Sequence, residues 1–451
     1  MFANACASAR FKGEAQEILL VPSAGEGALL LVGLGKRDSA AGLRRAAAQA
    51  AQQVPQDATW SLELPEDLDP SSRATSWCAV AEGVLLSTYQ FRVEAKERAR
   101  QVQGPCTLVA PASEMVTAKR AIERALAVCE GITLARDLTN TPAQDLGPGE
   151  LADAAASLAR RHGMRCSVLR GDQIKEQGLR LIEAVGRGSS RPPTFTVIEH
   201  CNEGAEPQIA LIGKGVVFDS GGLDLKPSDS MLLMRKDMAG AAAVLGVLET
   251  VARLRLRVEL MAIVPAAENS IGPDAYRPGD IIRSLDSLTV EIGNTDAEGR
   301  LLLADAIAFA RKKSARRLLD LATLTGAARV ALGPDVPALF GTDEALVQAL
   351  LESSRRQDEM MWRLPLVDSY DNQIDSPFAD VNNISSDRRA GAITAALFLR
   401  RFVRDTPWAH VDFFGWEETG RPGTPKGANG ACVRTLVDVL ETMKSFRDSS
   451  G

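Results

Sequence analysis

The stretch Asn294-Thr295-Asp296-Ala297-Glu298-Gly299-Arg300-Leu301 sets two carboxylates two residues apart, followed at once by a glycine and an arginine. Acids held that close repel each other in a buried turn unless something positive joins them. Taken alone, the stretch fits N-capping plus one salt bridge to Arg300 as well as it fits a metal site. A second set of charges lies upstream. Lys214 ends the apolar run Ile209-Ala210-Leu211-Ile212-Gly213, Asp219 opens Asp219-Ser220-Gly221-Gly222, Lys226 follows, and Asp237 precedes the small residues Ala239-Gly240-Ala241-Ala242-Ala243. Each again has an ordinary reading: a buried Lys214–Asp219 ion pair, Asp237 as an N-cap, Lys226 exposed. Together, Asp219, Asp237, Asp296 and Glu298 are four carboxylates, enough to neutralise two divalent ions. Two metals about 3.5–4 Å apart share a water and turn it into hydroxide near neutral pH. Lys214, desolvated against an apolar strand, is expected to have a lowered pKa and to offer a neutral amine to a metal. Lys226 and Arg300 add positive charge where an oxyanion or small anion would sit. The combined set favours dinuclear metal hydrolysis over coincidental caps and ion pairs.

The rest of the composition narrows this chemistry. The three histidines, His162, His200 and His410, have no metal-ligand spacing, so a hydrolytic site must rest mainly on carboxylates. Such a site suits Mg, Mn or Zn. The seven cysteines (Cys6, Cys78, Cys106, Cys129, Cys166, Cys201 and Cys432) are odd in number and form no CxxC, which fits reduced thiols and argues against thiolate zinc. A net charge of −6 gives no general attraction to nucleic acid or anionic membrane. No run of about eighteen apolar residues occurs, so no membrane span is expected. Residues 1–13 lack a basic start and apolar core, so a cytoplasmic protein without a signal peptide is expected.

The elements that must position these residues read as α/β. Residues 1–116 form a small N-terminal α/β domain, with a strand at 28–35 and a helix at 39–53. Its Gly33-Leu34-Gly35 is a tight turn, too short for a nucleotide fingerprint. Residues 117–144 are a helical connector, ended by Asn140-Thr141-Pro142. Residues 145–451 form the catalytic domain, a larger α/β unit around a mostly parallel sheet. Its predicted strands are 164–169, 195–199, 209–217, 257–264, 288–292, 318–324 and 409–413. Its predicted helices are 149–161, 238–253, 299–312, 345–356, 391–404 and 433–445. The tail 449–451 is expected to fray. The octapeptide thus falls on a strand-to-helix turn with Asn294, Thr295 and Asp296 as capping residues. Such turns at the carboxyl ends of strands form the ligand crevice of α/β sheets.

These motifs closely resemble the leucyl aminopeptidase family, the cytosol aminopeptidases, whose signature is the octapeptide. Further matches are Asp320-Leu321-Ala322-Thr323-Leu324-Thr325-Gly326, the run Gly391 to Leu399, and Trp408-Ala409-His410-Val411-Asp412. The resemblance covers about residues 130 to 440 and implies a metal-dependent aminopeptidase releasing N-terminal residues from peptides. It implies one Mn or Zn ion held by Lys214, Asp219, Asp237 and Glu298. A second would be held by Asp219, Asp296 and Glu298, with Asp219 and Glu298 bridging. Lys226 would stabilise the oxyanion, Arg300 would hold a bicarbonate acting as general base, and His410 would be structural beside Asp412. A homohexamer is implied. The family's specificity pocket maps to Met234, Thr323, Gly326, Phe414 and Glu417. Here Phe414 and Glu417 replace a small and an apolar residue. Glu417 is therefore either satisfied within the protein or welcomes a polar or basic first side chain, and weaker preference for leucine is expected. Two other readings use the same residues: a DNA-binding protein on this fold, and a dinuclear phosphoesterase, which the lack of ligand-spaced histidines disfavours.

Overall fold

A computed structural model of the chain describes residues 10–22, 28–35, 39–55, 57–65, 68–69, 72–91, 104–200 and 208–443. Residues 1–9, Cys6, Cys201 and the tail 449–451 lie outside the described residues. The chain divides into two compact units, Met1–Thr133 with Glu417–Asn429, and Leu134–Trp416 with Gly430–Gly451.

In the first unit, strands Ile18–Pro22 and Ala28–Val32 pair antiparallel, and Trp60–Glu63 pairs parallel to Cys106–Val109. Helix Ala40–Gln53 starts where the Ser39 hydroxyl accepts from the Gly42 amide at 3.1 Å. Its Leu43 and Ala47 pack with Trp77 and Val80 of helix Arg73–Ser87. Ala118, Ala121 and Ala125 join that core from an unbroken helix, Met115–Asn140.

The second unit is built on a nine-stranded sheet. In chain order its strands are β1 (Arg165–Arg170), β2 (Thr194–His200), β3 (Ile209–Gly213), β4 (Gly215–Asp219), β5 (Leu260–Asn269), β6 (Leu318–Ala322), β7 (Ala338–Gly341), β8 (Trp362–Arg363) and β9 (Trp408–Asp412). The spatial order is β8-β7-β9-β6-β3-β5-β2-β1, with β4 continuing along β5. The centre, β9-β6-β3-β5, is parallel, and the outer pairs β7/β9, β5/β2 and β2/β1 are antiparallel. β3 and β6 are buried along their whole length, as expected of strands covered on both faces. The cover comes from α1 (Pro148–Arg161), α2 (Ala239–Leu254), α3 (Gly299–Lys312), α4 (Gly326–Leu332), α5 (Gly391–Val403) and α6 (Val433–Thr442). α2 packs with α6, and α3 packs with α5.

Two local departures position the site. The run expected as one strand, 209–217, is β3 and β4 with a break at Lys214. At the break the Lys214 amide donates to Leu321 O and its carbonyl accepts from Ala241 N, both at 2.9 Å. That junction requires glycine: a Cβ on Gly213 would lie 2.5 Å from the Ala241 Cα, and one on Gly240 2.1 Å from Leu321 O. The strand before the octapeptide, Thr289–Glu291, belongs to a small separate sheet with Ile281–Arg283 and Val381–Asn382.

Candidate metal centre

The break after β3, the end of β4, a short 3-10 turn at Met234–Met238 and the loop before α3 bring the charged residues together. Lys214, Asp219, Asp237 and Glu298 are all buried, and Asp296 is partly exposed. The Lys214 Nζ lies 2.7 Å from Asp237 Oδ2 and 2.9 Å from Glu298 Oε1, and donates to Thr323 O at 3.2 Å. The Lys226 Nζ lies 2.8 Å from Asp219 Oδ2 and pairs closely with Asp296 Oδ1. The ordinary readings therefore do not hold. Lys214 pairs with Asp237 and Glu298, and Lys226 is largely buried between two acids. Asp237 caps nothing: the residue before α2 is Met238, and Asp237 Oδ1 accepts from Thr323 Oγ1 at 2.7 Å. Glu298 stands at the N-cap of α3 without a side-chain bond to the helix. Both carboxylates are turned to Lys214, not to helix ends.

Four carboxylates face two lysines, so acid is in surplus. Carboxylate oxygens of Asp219, Asp296 and Glu298 all lie within 4.8 Å of one another. Asp237 Oδ2, Asp296 Oδ1 and Glu298 Oε1 are buried and, though at ion-pair distance from a lysine, make no well-aligned hydrogen bond. Burial, then the Asp219 charge, pushes Glu298 up to about 8. Burial, then Asp219, also raises Asp296. Burial works to lower the Lys214 pKa, but Asp237, Glu298 and Asp219 outweigh it and hold the group well above its ordinary value. The expected neutral amine is thus corrected: surrounded by acids alone, Lys214 stays an ammonium. Hard oxygen donors with unsatisfied lone pairs and excess negative charge are what divalent cations take, and a cation there would displace protons from Glu298 and Lys214.

Arg300 is buried; burial brings its guanidinium down to about 10 against the opposing pull of Glu298 and Asp412. Its Nη1 donates to Asn383 O at 2.7 Å, while its Nε is buried with no partner.

The sequence reading missed the groups that fix these loops. Asn269, last in β5, donates through Nδ2 to Asp219 Oδ1 at 2.8 Å and to Thr295 O at 3.0 Å. Tyr276 Oη donates to the same carbonyl at 2.6 Å. Asp224 accepts from Thr295 N at 2.7 Å, and Asn383 Oδ1 from Gly293 N at 2.7 Å. The one trace was a polar pair, Glu268-Asn269, closing an apolar strand. His410 is buried in β9 and pairs with Asp320. Its Nδ1 lies 2.5 Å from Asp320 Oδ1, and Trp408 Nε1 donates to Asp320 Oδ2 at 2.6 Å.

Of the pocket residues, Thr323 touches Asp237 directly, and a Cβ on Gly326 would meet nothing within 4 Å. Met234 opens the 3-10 turn that carries Asp237. Phe414 is half-buried, with Lys236 Nζ 4.5 Å and the Arg329 guanidinium carbon 4.0 Å from its ring centre. Burial brings Lys236 down to about 8. Glu417 is satisfied by its own loop: Oε1 accepts from Thr419 N, Thr419 Oγ1 and Gly420 N at 3.1 Å each, and Oε2 lies 3.1 Å from Arg421 Nε. The first of its two expected outcomes is the one realised.

Comparison with known proteins agrees with this geometry. Residues 133–437 match the catalytic domain of the cytosol aminopeptidase family, and residues 2–93 match its N-terminal domain. A chain from Geobacter sp. (strain M21) named "Probable cytosol aminopeptidase" is 44% identical over 421 residues, 91% of this chain and 85% of that one. Among solved structures, the bottromycin maturation enzyme BotP in complex with Mn is 38% identical with a TM-score of 0.89, covering 97% of this chain and 95% of its own. Cytosol aminopeptidase from Coxiella burnetii is 37% identical with a TM-score of 0.85, covering 98% and 92%.

Proposed function

Because the chain belongs to the cytosol aminopeptidase family, a family of metallo-aminopeptidases, we propose that its four converging carboxylates hold two divalent ions, Mn or Zn. Lys214, Asp219, Asp237 and Glu298 would hold one, and Asp219, Asp296 and Glu298 the other. The observation that carries this reading is the surplus of acid, with three buried carboxylate oxygens lacking aligned donors. When bound, such ions lower the pKa of water and polarise the scissile carbonyl.

The chain's own groups do the rest. The free α-amine of the peptide would bind beside Asp237, at the ion that Lys214 and Asp237 help to hold, which restricts cleavage to the first residue. Lys226 stays protonated, because Asp219, Glu298 and Asp296 outweigh the burial that opposes it, and it donates to the oxyanion that develops on the carbonyl. Arg300, with its unpartnered Nε at the start of α3, would hold a small anion such as bicarbonate, which would supply a general base there. Asn269 and Tyr276 keep Asp219 and the 294–298 loop in register. Met234, Thr323, Gly326 and Phe414 would line the pocket for the first side chain.

The described helices include none long and apolar enough to cross a membrane, and the reading carries with it a cytoplasmic homohexamer. Light scattering under native conditions tests the assembly; a monomer would contradict it. The activity is tested with aminoacyl-amides bearing free or acetylated amines, before and after chelation and on readdition of Mn or Zn. The expected result is cleavage of free-amine substrates only, lost on chelation and restored by metal. Equal cleavage of acetylated substrates would contradict the exopeptidase assignment.

A further inference from the structure

We propose that Lys236, supported by Arg329, makes the first side-chain pocket of this enzyme select acidic N-terminal residues; the inference rests on the aminopeptidase reading. Lys236 is only 5% exposed. Among the described residues its ammonium has no ion pair and no hydrogen bond; its one close polar contact is the face of Phe414, at 4.5 Å. A ring face compensates a buried cation only in part. Arg329 of α4 brings a second positive charge to 4.0 Å from the same ring centre.

This cluster adjoins the metal acids. Gly415, next to Phe414, is so close to the start of α2 and to the residue after β6 that a Cβ there would lie 3.0 Å from Ala239 Cβ and 3.5 Å from Thr323 Cγ2. Thr323 in turn donates to Asp237. The acids facing Lys236 are Asp237 and Asp412, and its positive neighbours are Lys214 and Arg329. Both acids are already committed. Asp237 Oδ2 belongs to Lys214, and Asp412 accepts from Leu324 N, Thr325 N and Thr325 Oγ1. Glu417, the carboxylate that the sequence offered for this pocket, is taken up within its own loop by Thr419, Gly420 and Arg421. Beside the cluster, Gly326 leaves open space one turn of α4 before Arg329. A glutamyl or aspartyl side chain supplies the anion that the protein withholds from Lys236; a leucyl side chain desolvates that cation and returns nothing. The sign is opposite to the one Glu417 suggested in the sequence.

The test compares kcat/KM for glutamyl-, aspartyl-, leucyl- and arginyl-amides with the Mn-loaded enzyme, in wild type, Lys236→Met and Lys236→Glu. Thermal protection by free glutamate and by free leucine gives a second, activity-independent readout. The wild type is expected to favour glutamyl over leucyl substrate. Lys236→Met should lower that ratio about tenfold or more, the worth of one charged hydrogen bond, and Lys236→Glu should move preference toward arginyl. If Lys236→Met fails to fold, Arg329→Met at its exposed position carries the same test with a smaller shift. Leucyl cleavage with an unchanged glutamyl-to-leucyl ratio in every folded variant would overturn the proposal and leave the aminopeptidase reading standing. Failure to cleave any free-amine substrate would sink that reading itself.

Discussion

The sheet of the second unit contains two buried ionisable clusters, and they are built on opposite terms. In mid-strand, Asp320 of β6 meets His410 of β9 at 2.5 Å and takes the Trp408 indole at 2.6 Å, while Asp412, which closes β9, takes two amides and the Thr325 hydroxyl. Each acid there is closed by donors of its own fold, with only His410 Nε2 left without a partner. At the strand ends, Asp219, Asp237, Asp296 and Glu298 share two ammonium groups, and three of their oxygens have no aligned donor. Asp219, Asp237 and Glu298 are buried as deeply as Asp320 and Asp412, with Asp296 partly exposed; completeness of satisfaction differs. A closed cluster holds strands together. An open cluster with excess charge either keeps protons or takes a further cation, and that is what suits it to chemistry.

The difference can be broken experimentally. The largest effect is expected for Asp237→Ala and Glu298→Ala, which should each abolish turnover and lower bound metal measured by elemental analysis; full metal with near-normal turnover in either would remove it from the ligand set. Lys226→Ala should keep its metal and lose about 10²–10³-fold in kcat, the cost of one oxyanion donor; metal loss would contradict that role. Asp320→Ala sharpens the contrast from the other side. It should destabilise the protein by about 3–5 kcal/mol, as when one partner of a buried pair is removed, with metal per folded chain unchanged. A smaller effect, about 10–100-fold in metal affinity by titration calorimetry, is expected for Asn269→Ala, which frees Asp219 and the Thr295 carbonyl without removing a ligand. The smallest is the pH response of the chelator-treated protein. Glu298 is raised to about 8, so the native state holds a proton that the unfolded state has lost. Stability should therefore fall as pH rises from about 4.5 toward about 8, and added Mn should reverse the fall while releasing protons. A melting temperature flat across that window would contradict the raised value.

Much of this contrast is legible in the sequence, and the parts that are not have physical reasons. All four acids and both lysines stand out because charged residues interrupt apolar runs at strand ends and helix starts. The alternation of strands and helices gives the α/β class and the sheet core. Pairing is another matter: the distribution of Lys214 and Lys226 among the acids depends on the break between β3 and β4, set by glycine contacts with α2 and β6 that no local pattern encodes. The strand at 289–291 has the right period, yet its sheet is decided by a partner some ninety residues away, Val381–Asn382. Asn269 and Tyr276 look ordinary in sequence because their role is to meet one carbonyl from two sides. For Glu417 the local turn wins: three short-range donors and Arg421 absorb the charge before any ligand does.

Whether the open cluster seats two divalent ions is decided by metal stoichiometry. Protein stripped by chelation and titrated with Mn, with bound metal counted per chain alongside leucyl- and glutamyl-amide hydrolysis, is predicted to take up two ions and to regain activity as the second site fills. No specific uptake, or full hydrolysis by the stripped protein, would contradict the account.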